Sequence, residues 1–202
     1  MGIDPGFNVA TARDEFIGGM AACAFCLVAL FVLTFLIAWM LRRHSVVDVV
    51  WGLGFVVVGV ISFLSSVDFG SAPRRALLLA MVTIWGVRLA IHIGRRNAGH
   101  GEDPRYEQML AKVRPERRAL YAVVTIYLPQ VILIFFISMP VQAGSHAHGD
   151  VGLLTVFGVA VWAIGLFFEA VGDWQLQAFK SDPANKGTIM DRGLWRYTRH
   201  PN

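Results

Sequence analysis

Charge is scarce in this chain. Only 16% of its 202 residues are Asp, Glu, Lys or Arg, while 55% are apolar, well outside ordinary globular usage. Cysteine is scarcer still. Cys23 and Cys26 form a C-x-x-C inside an apolar run, where they read as small buried hydrophobes rather than a redox or metal pair. Two cysteines exclude a disulfide framework. The chain lacks a G-x-G-x-x-G and a Walker A sequence, so neither soluble nucleotide-binding fold is indicated. It has no repeat at a solenoid period and no separate soluble domain. Residues 1–16 carry one arginine against three acids, the reverse of a secretory n-region. Gly6 stands where a myristoylation signal needs Ser or Thr.

What fills the chain instead is a series of apolar runs long enough to cross a bilayer. They are Ile17–Leu41, Val46–Ser66, Ala76–Ile93, Ala119–Val141 and Val151–Lys180. Lipid offers the backbone no partner, so each run is expected to be a helix; none shows the strict alternation of barrel strands. The fifth, at 1.5 Å per residue, would reach about 45 Å and must tilt or project. The predicted fold is all-α: a polytopic membrane bundle of five transmembrane helices over 17–202, preceded by a polar outer N-terminus, 1–16.

The basic residues fix the expected orientation. Fourteen of the 18 Lys and Arg lie in 42–43, 94–118 and 180–202; three lie in 1–16, 67–75 and 142–150; Arg88 lies within a span. By the positive-inside rule the N-terminus is outside and the C-terminus cytoplasmic. A net charge of +4 gathered on one face suits anionic headgroups or a phosphorylated ligand, not nucleic acid.

Acids and bases inside spans are costly and mark functional positions by default. Asp48, Arg88, Glu169 and Asp173 all lie toward the cytoplasmic ends of their spans and could meet in one cavity. At 100° per residue Asp173 falls about 40° and Lys180 about 20° from Glu169, which makes a polar stripe roughly 16 Å long on one helix face. Ion pairs within the bundle are the competing reading, and for Asp48 a simple complement to the helix dipole. In the 94–118 loop, Arg96 and Arg105 are read either as positive-inside decoration or as cover for a phosphate-rich ligand. The second reading joins them to Lys180–Asn202, where Asn185, Arg196, Arg199, His200 and Asn202 are interleaved with Trp195 and Tyr197. His146 and His148, on a short loop with no firm third ligand, are weak grounds for a metal, and no metal site is assigned.

Several of these segments resemble bacterial DUF1295 proteins, which are similar to the C-terminal domain of steroid 5-alpha-reductases. The run Asp173-Trp174-Gln175 with Phe179-Lys180, Asp182 to Gly187 and Asp191 to Asn202 carries most of the likeness. Asp48-Val49-Val50-Trp51-Gly52, Trp85 to Leu89 and Arg96 to Tyr106 carry the rest, over about 45–202. The resemblance implies a membrane reductase that binds NADPH from the cytoplasm and reduces a carbon–carbon double bond conjugated to a carbonyl in a steroid- or lipid-like substrate. It implies that Asp173 lies near the nicotinamide, that Lys180 is the family's basic residue and that Asn202 belongs to the cofactor pocket. Glu169 stands where steroid reductases have asparagine, and Asp48 corresponds to a glutamate on helix two. The family's catalytic tyrosine on helix three has no counterpart between Trp85 and His92; His92 is the candidate donor, with a core histidine the alternative. The family continues past Asn202, so the sequence is expected to be cut inside its own site.

Two other readings stand. An integral-membrane methyltransferase of the isoprenylcysteine type also carries an Arg-His-Pro turn but binds S-adenosylmethionine. A non-catalytic membrane protein would use its basic face only for anionic lipid. The expected setting is a bacterial inner membrane.

Overall fold

The computed structural model describes residues 9–68, 70–149 and 151–198, and all regular structure among them is helical. Eight α-helices follow in order: α1 Val9–Leu41, α2 Val46–Ser65, α3 Ala72–Asn97, α4 Pro104–Ala111, α5 Arg118–Ala122, α6 Leu128–Ile137, α7 Met139–His146 and α8 Leu153–Ser181. Five helical stretches are long and apolar enough to cross a membrane: Ala10–Leu41, Val46–Ser65, Ala72–Asn97, Pro115–His146 and Leu153–Ser181. The protein is a multi-pass membrane protein. α1 begins at Val9, ahead of the apolar run that starts at residue 17. Two compact units are distinguished, 1–150 and 151–202.

In the first unit α2 is the central helix, packing most extensively on α3 and α1. Glycine makes this possible. A Cβ on Gly52 would lie 2.5 Å from the Gly86 carbonyl oxygen, and one on Gly86 would lie 2.5 Å from that of Gly52. The backbones of α2 and α3 therefore meet with no side chain between them, as small residues allow where lipid removes the hydrophobic drive to associate. Trp51, Phe55 and Trp85 stack edge-on beside this contact, with ring centroids 5.0–6.4 Å apart. On α1 the buried residues among those described are Gly19, Cys23, Leu27, Phe31, Thr34 and Ala38. They form a single stripe at helical spacing, while Phe25, Val32, Leu36 and Met40 stay exposed as a lipid-facing surface has to be. Cys23 packs in this core with its sulfur 3.8 Å from the Ser62 hydroxyl.

The fourth crossing is not one uniform helix. Between α5 and α6 it widens into a π-turn at Val123–Tyr127, just before Pro129. Proline has no N–H to return to the turn before it, and a π-turn is a known accommodation. The helix breaks again at Ser138, ahead of Pro140. There the Phe135 carbonyl accepts from the Ser138 hydroxyl and from the Gln142 amide, at 3.0 and 3.2 Å. Polar side chains thus satisfy backbone groups that lipid could not.

In the second unit α8 is followed by a chain that folds back along it. One side chain caps the turn after α8 and another closes the α8 terminus. Asp182 accepts from the Ala184 N–H at 2.9 Å, and Asn185 Nδ2 donates to the Phe179 carbonyl at 3.0 Å. Further on, Gln175 accepts from the Leu194 N–H at 2.9 Å, and the Trp195 indole donates to the Gly172 carbonyl at 3.0 Å.

Candidate functional site

One end of the first unit gathers most of its hydrogen-bonded charge. The short turn between α1 and α2 brings His44 and Ser45 to the N-terminus of α2, where Ser45 makes no side-chain cap. Glu102 caps instead. Its carboxylate accepts the backbone N–H of His44, that of Ser45 at 2.9 Å and that of Asp103 at 2.9 Å. A carboxylate is favoured at the positive end of a helix, and this one also ties the turn to the segment before α4. Arg43 adds a second tie, donating to the Asn97 carbonyl at 3.1 Å.

The clamp fixes the first turn of α2, and with it Asp48. Tyr106 of α4 donates its hydroxyl to Asp48 Oδ1 at 2.6 Å. Arg105 reaches Asp48 Oδ2 at 3.1 Å while forking onto Asp103 at 2.8 and 3.0 Å. Asp103 also accepts the Arg105 N–H as the N-cap of α4. The hydrogen bond from Arg105 holds the Asp103 carboxyl below the usual carboxylate range, and the Asp103 bond raises Arg105 further above an already high value. Burial, then the bond to Asp48, pushes the Tyr106 phenol well up, so it keeps its proton at neutral pH. Asp48 thus does more than complement the helix dipole: its carboxylate is engaged by a phenol and a guanidinium.

Asp48, Asp103 and Arg105 border an open cavity of about 510 Å³, with Trp51, Arg96 and Gln130 also on its walls. Three of the residues singled out from sequence, Asp48, Arg96 and Arg105, are therefore brought together. His92 is not among the lining. The α3 wall is Ile93 and Arg96, and His92 sits half-buried on that helix. Arg105 is committed to two carboxylates, a poor state for holding a phosphate. Tyr106 is the group that sequence reasoning missed. It is adjacent to Arg105 in the matched segment, but nothing in the sequence pairs it with a carboxylate 58 positions away.

In the second unit Asp173 is buried, Glu169 half-buried and Lys180 exposed. Lys180, Asn185 and Lys186 line a cavity of about 480 Å³. Neither lysine is paired with a carboxylate among the described residues. Asn185 spends its amide N–H on the α8 terminus, leaving its oxygen as an acceptor. Arg192, Trp195 and Arg196 border a neighbouring hollow. Trp195, a candidate for stacking on a base, instead donates to Gly172 and pins the fold-back. Arg199, His200 and Asn202 lie outside the described residues.

A family model described as "Protein of unknown function (DUF1295)" matches residues 34–202. Comparison with curated proteins and with solved structures gave no match.

Proposed function

The chain belongs to the DUF1295 family, and from that premise we propose that it is a membrane-embedded oxidoreductase. It reduces a carbon–carbon double bond conjugated to a carbonyl in a hydrophobic, steroid- or lipid-like molecule, at the expense of NADPH. The observation that carries this reading is the Tyr106–Asp48 pair at 2.6 Å, steadied by Arg105, with Asp48 on the wall of a cavity it shares with Trp51.

A phenol that stays protonated is what enone reduction needs on the carbonyl side. As hydride reaches the β-carbon, negative charge develops on the carbonyl oxygen, and a preformed donor stabilises it. Tyr106 is that donor. Asp48 orients the phenol, which turns from that carboxylate to the enolate oxygen and recovers its proton from the enol as the α-carbon is protonated. Arg105 and Asp103 hold the carboxylate of Asp48 in place, so Arg105 is a positioning residue rather than a cofactor contact. The α-carbon takes its proton from water, which balances one hydride and one proton across the double bond.

NADPH when bound supplies the hydride. Lys180 and Lys186 offer ammonium groups with no carboxylate partner among the described residues, whereas Arg105 is neutralised by two. In the second unit the resemblance implies Asp173 and Lys180 in holding the cofactor, and Glu169, Asn185 and Arg196 are further candidates there.

The test is titration of the full chain in nanodiscs with NADPH, NADH and S-adenosylmethionine, followed by turnover on apolar enones. Saturable NADPH binding and NADPH-linked enone reduction are expected, with Tyr106→Phe lowering kcat by about 100-fold while cofactor affinity is kept. Saturable S-adenosylmethionine binding without NADPH binding replaces the reductase with the methyltransferase. Binding of neither leaves a non-catalytic membrane protein.

A further inference from the structure

The first unit holds a second cavity. It encloses about 700 Å³, within the range of small-molecule sites, and is bounded by the end of α1, the 42–45 turn, α4 and the start of α5. Trp39, Arg42, His44, Glu107 and Arg118 contribute to its walls, with Leu110 and Pro115 as apolar lining.

Arg42 is held there at a conformational cost. The Arg43 N–H bonds the Ala38 carbonyl and the Arg42 N–H bonds that of Trp39. This Schellman-type ending places Arg42 in the left-handed position where glycine is usual. Its φ is +53°, and among the described residues it is the one non-glycine with positive φ. An arginine kept at such a position points to a use for its guanidinium.

The charges around the cavity divide into committed and available groups. Glu102, also in the lining, spends its carboxylate on three backbone N–H groups. Burial holds the His44 imidazole below its ordinary value despite nearby Glu102, so it is neutral at pH 7. Arg118 anchors its Nε on the Val113 carbonyl at 3.1 Å, which leaves the two terminal nitrogens for another acceptor. Neither the Arg42 guanidinium nor the Glu107 carboxylate forms a hydrogen bond or ion pair among the described residues. Two guanidiniums and one carboxylate therefore face the space.

The surroundings are those of a membrane edge. The cavity opens where the apolar span of α1 ends, beside Trp39, which is 52% exposed and of the type enriched at membrane–water interfaces. The spans that bracket it expose Leu36 and Met40 on α1 and Leu120 on α5. We propose that this cavity binds the headgroup of an ammonium-bearing phospholipid. Arg42 and Arg118 take the phosphodiester, Glu107 takes the ammonium, and the acyl chains run down the exposed apolar flank. The shared chemistry is that of any phosphate with an amine, so the lipid and a soluble phosphate must be told apart.

The experiment is native mass spectrometry of the full chain in detergent with phosphatidylethanolamine and phosphatidylglycerol at equal concentration. Parallel competitions use soluble phosphoethanolamine and inorganic phosphate. The wild type is expected to retain phosphatidylethanolamine about ten-fold better than phosphatidylglycerol, with Arg118→Gln or Arg42→Gly costing about ten-fold in retention. Glu107→Gln should erase the preference between the two lipids while keeping retention of phosphatidylglycerol. Glycine suits the backbone at position 42, so Arg42→Gly should melt no lower than wild type, which separates loss of the ligand from loss of the fold. Equal retention of both lipids by the wild type, or unchanged retention in both arginine variants, overturns the proposal. Displacement of the lipid by inorganic phosphate at matched concentration overturns the lipid assignment in favour of a soluble phosphate. None of these outcomes depends on the reductase reading.

Discussion

Two segments of this chain are rich in basic residues, 94–118 and 180–198, yet their cations are in different states. In the first, Arg105 is forked onto Asp103 and reaches Asp48, and Arg118 is anchored on a carbonyl. Of the seven Lys and Arg there, Arg105 is the one paired with carboxylates among the described residues, and the segment is held by bonds that cross long stretches of sequence. In the second, Lys180 and Lys186 border a cavity with no carboxylate partner among the described residues, and the fold-back rests on single bonds such as Trp195 to Gly172. The density of Lys and Arg in a sequence therefore measures topology better than it measures ligand binding. What distinguishes the segments is where their acids point.

The sharpest way to break this contrast is at Glu102. Glu102→Ala leaves three backbone N–H groups without their acceptor, each costing about 1–3 kcal/mol if water does not replace it. A loss of roughly 3 kcal/mol or more is expected in thermal or denaturant unfolding in detergent, together with loss of the Asp48 geometry. In the second segment Trp195→Phe removes one hydrogen bond and should cost about 1 kcal/mol. If both variants lose the same stability, the first segment is no more tightly held than the second.

A smaller effect separates the roles of the cations. The Lys180→Ala, Lys186→Ala double variant is expected to weaken NADPH binding by about ten-fold, with less salt dependence than the wild type, as exposed cations on a phosphate should. Arg105→Ala should leave NADPH affinity within two-fold or so and stability within about 1 kcal/mol, since its guanidinium is largely exposed. It should instead lower kcat, because Asp48 and Tyr106 lose their support. Calorimetry and steady-state kinetics on the same preparations check both, and an Arg105 variant that loses affinity with kcat intact would return that residue to cofactor binding.

Much of the fold was legible because the rule behind it is short-range. A run of apolar residues in lipid must satisfy its own backbone, so five runs meant five helices, and the ends of α2 fell within a residue of expectation. What was not legible depends on pairing at a distance. α4 lies inside a segment read as a loop; its signals, Asp103 as N-cap and Pro104 behind it, are only a few residues long. Glu102 looked like one more loop charge, although its partners are the amides of His44 and Ser45. Asp48 was found because a carboxylate inside a span is conspicuous, and Tyr106 was not because a tyrosine beside a membrane is ordinary. The division at residue 150 had no sequence mark, since α8 is as apolar as the spans before it.

The weakest effect tests the clamp through its histidine. Nδ1 of His44 lies 3.0 Å from the Tyr127 hydroxyl, and the residue is 9% exposed. Burial holds its imidazole below the ordinary value, with Glu102 opposing. An unfolded chain takes up this proton near pH 6.5, roughly the unperturbed value, and the folded chain only at lower pH. Between those points the unfolded state binds more protons, so stability rises with pH there. The contribution is complete above about pH 6.5 and is lost as pH falls through the folded value. Melting of the wild type in detergent between pH 7.5 and about pH 5 should show this decline, and His44→Gln should flatten it. A His44→Gln profile parallel to the wild type would mean that the decline arises at other groups. Stability that rises on acidification in the wild type alone would mean that Glu102 outweighs burial, and that His44 carries charge into the lipid headgroup cavity.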